Sequence, residues 1–167
     1  NNETKKKYAI KAIKNVTNYD IAISNWFQNS SHEEYPLRYG ENPQQKATAL
    51  INNNLHQLSG EKKLSYNNLL DLDAAVTIAY EINSNKHICT IVKHNIPCGA
   101  SIENNQIKSY TNALAGDPIS AFGGVVAFNK KITTDTAKYL IRNFYEVIAA
   151  PEFDKRAIEI LKSKKNL

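Results

Sequence analysis

The sequence predicts an α/β fold with a mostly parallel sheet covered by helices on both faces. Two observations lead there. Short apolar runs at Ile88–Val92 and Val125–Phe128 are long enough for strands and too short for helices. They alternate with segments of helical spacing, the pattern of strand–helix–strand units. The chain has 167 residues, which suits one domain with a sizeable core.

The elements follow in order. Lys5–Asn29 has helical spacing, with Ile10, Ile13 and Val16/Thr17 on one stripe. Asp20 is placed to cap a second helix carrying Ile21, Ile23, Trp26 and Phe27. Residues 30–46 read as irregular, broken by Pro36, Gly40 and Pro43, and Ala47–Ile51 as a short strand. Asn67–Ile82 is predicted helical, since Leu69, Leu72, Ala75/Val76, Ala79 and Ile82 share a face. Ile88–Val92 is a buried strand, after which Pro97 and Gly99 turn the chain. Glu103–Leu114 reads as a helix stopped by Gly116-Asp117-Pro118, and Val125–Phe128 as a strand entered through Gly123-Gly124. Thr133 or Thr134 caps a helix to Arg142. Glu146–Ala149 closes the strands, and Phe153–Lys162 is the last helix, after Pro151.

Composition narrows the function classes. No apolar run is long enough to cross a bilayer, and Asn1–Lys7 carries no hydrophobic signal region. The only cysteines, Cys89 and Cys98, lie on and just after one strand, so a reduced compartment fits and a cytoplasmic location is expected. The Asn-x-Ser/Thr matches at Asn15 and Asn29 carry little weight without a secretory signal. The net charge of +5 is compatible with an anionic ligand or with nucleic acid. Much of the lysine sits in Lys5–Lys7 and Lys162–Lys165, and no basic stripe interleaves with aromatics, so nucleic acid and membrane are not expected partners.

Three segments can carry chemistry. In Ile91–Gly99 a buried strand ends in Lys93 and His94, at a sheet edge where α/β folds bind ligands. Lysine stabilises developing negative charge and histidine moves protons near neutral pH, which suits chemistry at a carbonyl or formyl carbon. Alone, the pair also fits a strand ending in two solvated polar residues. Leu37–Pro43 offers Arg38 to fork onto a phosphate, Tyr39 as a hydroxyl or stacking face, and Gly40 for close backbone approach, or it is a surface turn. Asp117–Val126 holds the glycine pair Gly123-Gly124, which leaves room for a ligand or makes a tight turn. Neither a dinucleotide fingerprint nor a Gly-Lys-Ser/Thr phosphate loop is present. Zinc is not expected. His32-Glu33-Glu34 and Pro97-Cys98 begin the two halves of a deaminase signature, but the second cysteine is missing.

Taken together, LRYGENPQQ (37–45), LSYNNLLDLDAA (64–75), IVKHNIPCGA (91–100) and DPISAFGGVVAFN (117–129) strongly resemble the AICAR transformylase family, in order and spacing. In that family the transformylase domain is the carboxyl-terminal part of a bifunctional purine-biosynthesis enzyme that is also an IMP cyclohydrolase. The resemblance covers nearly the whole chain. It implies the first of two related cytidine-deaminase-like lobes over 1–167, with the second lobe and the cyclohydrolase domain lying outside it.

The implied reaction is formyl transfer from the co-substrate 10-formyltetrahydrofolate to the 5-amino group of AICAR, giving FAICAR. By resemblance His94 is the general base and Lys93 stabilises the oxyanion. Arg38 and Tyr39 bind the nucleotide, Gly123 lies against it, and Glu146 stands where some members place a contacting aspartate. Gln44 replaces a common histidine, and Asn95-Ile96 a commoner Ala-Asn. In the family an asparagine, an arginine and a phenylalanine of the second lobe complete the site, and folate contacts come from there and from the partner subunit of a homodimer. A fragment without them is expected to be inactive. The rival reading is a catalytically inactive α/β module that binds an anionic nucleotide.

Overall fold

The computed structural model describes residues 2–28, 32–52, 55–60 and 62–167. It divides into two compact units, one of residues 1–35 and 49–56 and the other of 36–48 and 57–167.

The first unit contains α1 (Asn2–Gln28), and β1 (His32–Pro36) pairs with β2 (Thr48–Asn52) in a two-stranded sheet. Two helices were expected where α1 runs unbroken. No glycine or proline interrupts 2–28, and an aspartate inside a helix costs only about 0.7 kcal/mol, so Asp20 sits exposed within it. Asn15 lies within this helix, whereas Asn29 lies outside the described residues. Ile10, Ile13, Val16, Trp26 and Phe27 are all more than half exposed. β1 falls in a stretch read as irregular.

The second unit holds a four-stranded sheet. Its strands are β3 (His87–Lys93), β4 (Ile96–Glu103), β5 (Val125–Phe128) and β6 (Val147–Ala149), in the order β4-β3-β5-β6. Its helices are α2 (Tyr66–Glu81), α3 (Gln106–Gly116), α4 (Thr134–Leu140) and α5 (Lys155–Lys162). The α/β class and the helices on both faces hold. One face of the sheet packs Ile88, Val92, Val125 and Ala127 under Leu72, Ala75 and Ala79 of α2. The other packs Cys89, Ile91, Val126 and Phe128 under Tyr110 and Ala113 of α3, Leu140 of α4, and Ala157 and Leu161 of α5. Full burial of each large aliphatic or aromatic side chain is worth about 1.5–3 kcal/mol. No described helix is long and apolar enough to cross a membrane.

The mostly parallel sheet is corrected. β3 pairs antiparallel with both β4 and β5, and only β5–β6 is parallel. The cause lies in two residues. His94 (φ 52°) and Asn95 (φ 61°) both take the left-handed backbone, which closes a two-residue hairpin whose twist suits antiparallel strands. Pro97 and Gly99 therefore lie in a strand and do not turn the chain. Pro97 is tolerated because β4 is an edge strand, where a missing N–H costs no ladder bond. Between Ile91 and Val92 the register slips, leaving Cys98 as the extra residue of a bulge. The helix expected from Glu103 starts at Gln106, capped by Asn105, whose side chain accepts from the Lys108 N–H.

Candidate functional site

The end of β3 is the centre of the site. Lys93 is the last strand residue, half-buried, and its ammonium donates to the carbonyl of Phe122. The glycine pair lies beside it. A Cβ on Gly124 would stand 2.8 Å from the Val92 carbonyl and 3.6 Å from Lys93 Cβ. Gly123 has φ +71°, and a Cβ there would lie 3.8 Å from Lys93 Nζ and 3.5 Å from the Phe144 ring. Gly123 thus supplies the left-handed turn before β5, and Gly124 lets the Val92 backbone come close. The Gly123 N–H donates to the Phe144 carbonyl at 2.8 Å, and the rings of Phe122 and Phe144 lie 5.3 Å apart.

Glu146 reaches the same corner. Its N–H donates to the Gly124 carbonyl at 3.0 Å, and its Oε2 accepts from Asn68 Nδ2 at 2.6 Å. Asn68 is itself fixed by the start of α2. Ser65 caps the helix, its hydroxyl accepting from the Asn68 N–H, while Asn68 Oδ1 accepts from the Ser65 N–H at 3.0 Å.

One turn further on, the buried Asp71 accepts from the Asn95 N–H at 2.6 Å. This is how His94 is tied to the site. Its imidazole is exposed, and among the described residues none of its hydrogen bonds is found, so the connection runs through the backbone of its neighbour. Cys98 lies close by, and burial together with Asp117 raises its pKa, which keeps it a thiol.

Arg38 and Tyr39 are strapped to the beginning of α2. The Arg38 N–H donates to Leu64 O at 2.8 Å, and the Tyr66 N–H to Tyr39 O at 3.1 Å. The Arg38 guanidinium donates to the Tyr39 hydroxyl at 3.0 Å and lies over that ring, 4.7 Å from its centroid. Arg38 Nε is buried without a hydrogen-bond partner.

The structure therefore brings Lys93, Gly123 and Glu146 to one corner and ties His94, Arg38 and Tyr39 to the helix that borders it. Asn68 and Asp71, three residues apart on one helix face, had no assigned role in the sequence reading. The signal for Asn68 was present in Ser65-Tyr66-Asn67-Asn68, a cap with a polar side chain three residues on. Among the described residues no cluster of three or more histidine, cysteine, aspartate or glutamate side chains could hold a metal ion. The side chains of His32 and Glu33 lie outside the described residues.

The family model of the AICARFT/IMPCHase bienzyme matches residues 1–167. The chain is 47% identical to the bifunctional purine biosynthesis protein PurH of Prochlorococcus marinus strain MIT 9301, over 98% of this chain and 36% of that protein. It is 42% identical to the protein of the same name from Clostridium botulinum strain Kyoto, over 100% of this chain and 36% of that protein. The chain thus spans about a third of the length of the curated relatives it matches.

Proposed function

The chain belongs to the AICARFT/IMPCHase bienzyme family, and we propose that residues 1–167 form the first, cytidine-deaminase-like lobe of an AICAR transformylase domain. The reaction is formyl transfer to the 5-amino group of AICAR. The formyl group is supplied by 10-formyltetrahydrofolate, a co-substrate whose contacts fall to the second lobe and to the partner subunit of a cytoplasmic homodimer. The parent enzyme also carries IMP cyclohydrolase activity, in a domain outside this chain.

The residues suit each step. The amine of AICAR is a weak nucleophile because its lone pair is conjugated with the ring and carboxamide. His94, exposed at the tip of the hairpin, takes the proton as the amine attacks, an effect typically worth about 10²–10⁴-fold. The attack places negative charge on the formyl oxygen, and collapse of that oxyanion breaks the bond between the formyl carbon and N10, releasing tetrahydrofolate as that nitrogen takes up a proton. Lys93 has three N–H donors, and its bond to the Phe122 carbonyl engages one of them, which leaves donors to meet that oxyanion. Arg38 grips the 5′-phosphate with the guanidinium edge that Tyr39 leaves over. Gly123 gives the ribotide close access, and Glu146, oriented by Asn68, accepts from it.

The observation that carries this reading is the seating of Lys93 against the Gly123 corner, on the strand whose hairpin presents His94. The full-length enzyme is expected to produce FAICAR from AICAR and 10-formyltetrahydrofolate, and the isolated 167-residue chain is not. Turnover by the isolated chain would overturn the lobe assignment. AICAR binding without turnover by the full-length protein would show an inactive nucleotide-binding module instead.

A further inference from the structure

We propose that Asp71 is a positioning residue for His94, a role that rests on the reading of His94 as the base. His94 and Asn95 are consecutive non-glycine residues with left-handed backbone, at φ 52° and 61°. Such conformations are costly for L-residues and persist only where the surroundings hold them. Lys93 and Ile96 pair across the hairpin, so the Asn95 N–H belongs to the two-residue loop and has no ladder partner. Asp71 Oδ1 accepts that N–H at 2.6 Å. Asp71 is buried on a helix whose neighbouring turns pack on the sheet through Leu72 and Ala75. A carboxylate on a rigid element thus fixes the loop amide that follows His94, and the charge-assisted bond strengthens the hold. Asp71 touches no reacting atom. It sets where the His94 side chain starts from.

The test uses the full-length enzyme. In Asp71→Ala, kcat for formyl transfer is expected to fall about 10²-fold, the scale on which small misplacements of a catalytic group act. KM for AICAR stays close to the parent value, and hydrogen exchange in the peptide spanning 93–97 rises. In Asp71→Asn the amide oxygen still accepts the Asn95 N–H, and most of kcat returns. Full kcat in Asp71→Ala overturns the proposal, and so does a kcat loss with unchanged exchange at the hairpin. If Asp71→Ala fails to fold, Asp71→Leu, which keeps the volume and removes the acceptor, takes its place, with the same expected and overturning outcomes. His94→Ala separates the two readings. Full kcat there removes the base assignment and this proposal with it, whereas loss in His94→Ala beside full activity in Asp71→Ala removes only this one.

Discussion

Asn68 donates to Glu146 Oε2 at 2.6 Å across 78 positions of sequence, joining the first turn of α2 to the segment that enters β6. The same side chain completes the cap of α2, so one residue both starts a helix and orients the Glu146 carboxylate.

Asn68→Ala removes both functions. Loss of the reciprocal cap and of a hydrogen bond to a charged group should destabilise the fold by about 2–4 kcal/mol, read as a lower urea midpoint. With Glu146 contacting the ribotide as proposed, the same variant raises KM for AICAR. An unchanged KM would remove Glu146 from the substrate contacts.

The cationic and basic groups should separate kinetically. His94→Ala should lower kcat about 10²–10⁴-fold while AICAR affinity stays near the parent value. Arg38→Lys keeps the charge but loses the planar fork, so KM for AICAR should rise about tenfold, equivalent to about 1.4 kcal/mol, with kcat little changed. Steady-state kinetics with varied AICAR checks both. A collapse of affinity in His94→Ala with kcat retained would reverse the assignment.

Two glycines should respond differently to alanine. At Gly123 the new Cβ meets ordinary contact distances, so the cost is that of the left-handed backbone, about 1–2 kcal/mol. At Gly99 it would stand 2.0 Å from the Ala113 carbonyl, a backbone atom that has nowhere to go, and the loss should be about 3 kcal/mol or more. Denaturant titration of the two variants tests the order.

Stability should fall in mild acid through His87. Its Nδ1 is buried without a hydrogen-bond partner, and burial, then Lys130, holds its pKa below the ordinary 6.5. As pH falls past 6.5 the unfolded chain takes up the proton first, so protonation favours unfolding. The contribution is present above that pH and is lost on the way down to the folded value. His87→Gln should flatten this part of the stability profile between about pH 7 and 5, measured as urea midpoints.

Much of the second unit was legible in the sequence. The strand at Val125–Phe128 matches its expected bounds, α2 is within one residue of its own, and the Thr133 cap is observed. These follow from local periodicity and capping chemistry, which the chain carries in itself. The hairpin was not legible. His94-Asn95 is not an Asn-Gly or Asp-Gly turn, and Pro97 and Gly99 read as breakers until an edge position makes them tolerable. Misplacing that turn also gave the wrong strand direction. Of the site, Lys93 and Gly123 stood out by type and are found side by side. Asn68 and Asp71 did not, because their partners, Glu146 and the Asn95 N–H, are distant in sequence.

The close fit of Gly99 under Ala113 has a counterpart at Gly116, where a Cβ would stand 2.7 Å from the Cys98 carbonyl. Strand and helix are thus locked backbone to backbone at both places. A lengthwise slide of β4 would carry both glycines out of these contacts, so the close spacing of strand and helix selects this one register. The Cys98 bulge lies at one of these contacts, two residue pairs behind the tip, so the hairpin has a fixed base and the imidazole reaches outward by rotation about its own side-chain bonds.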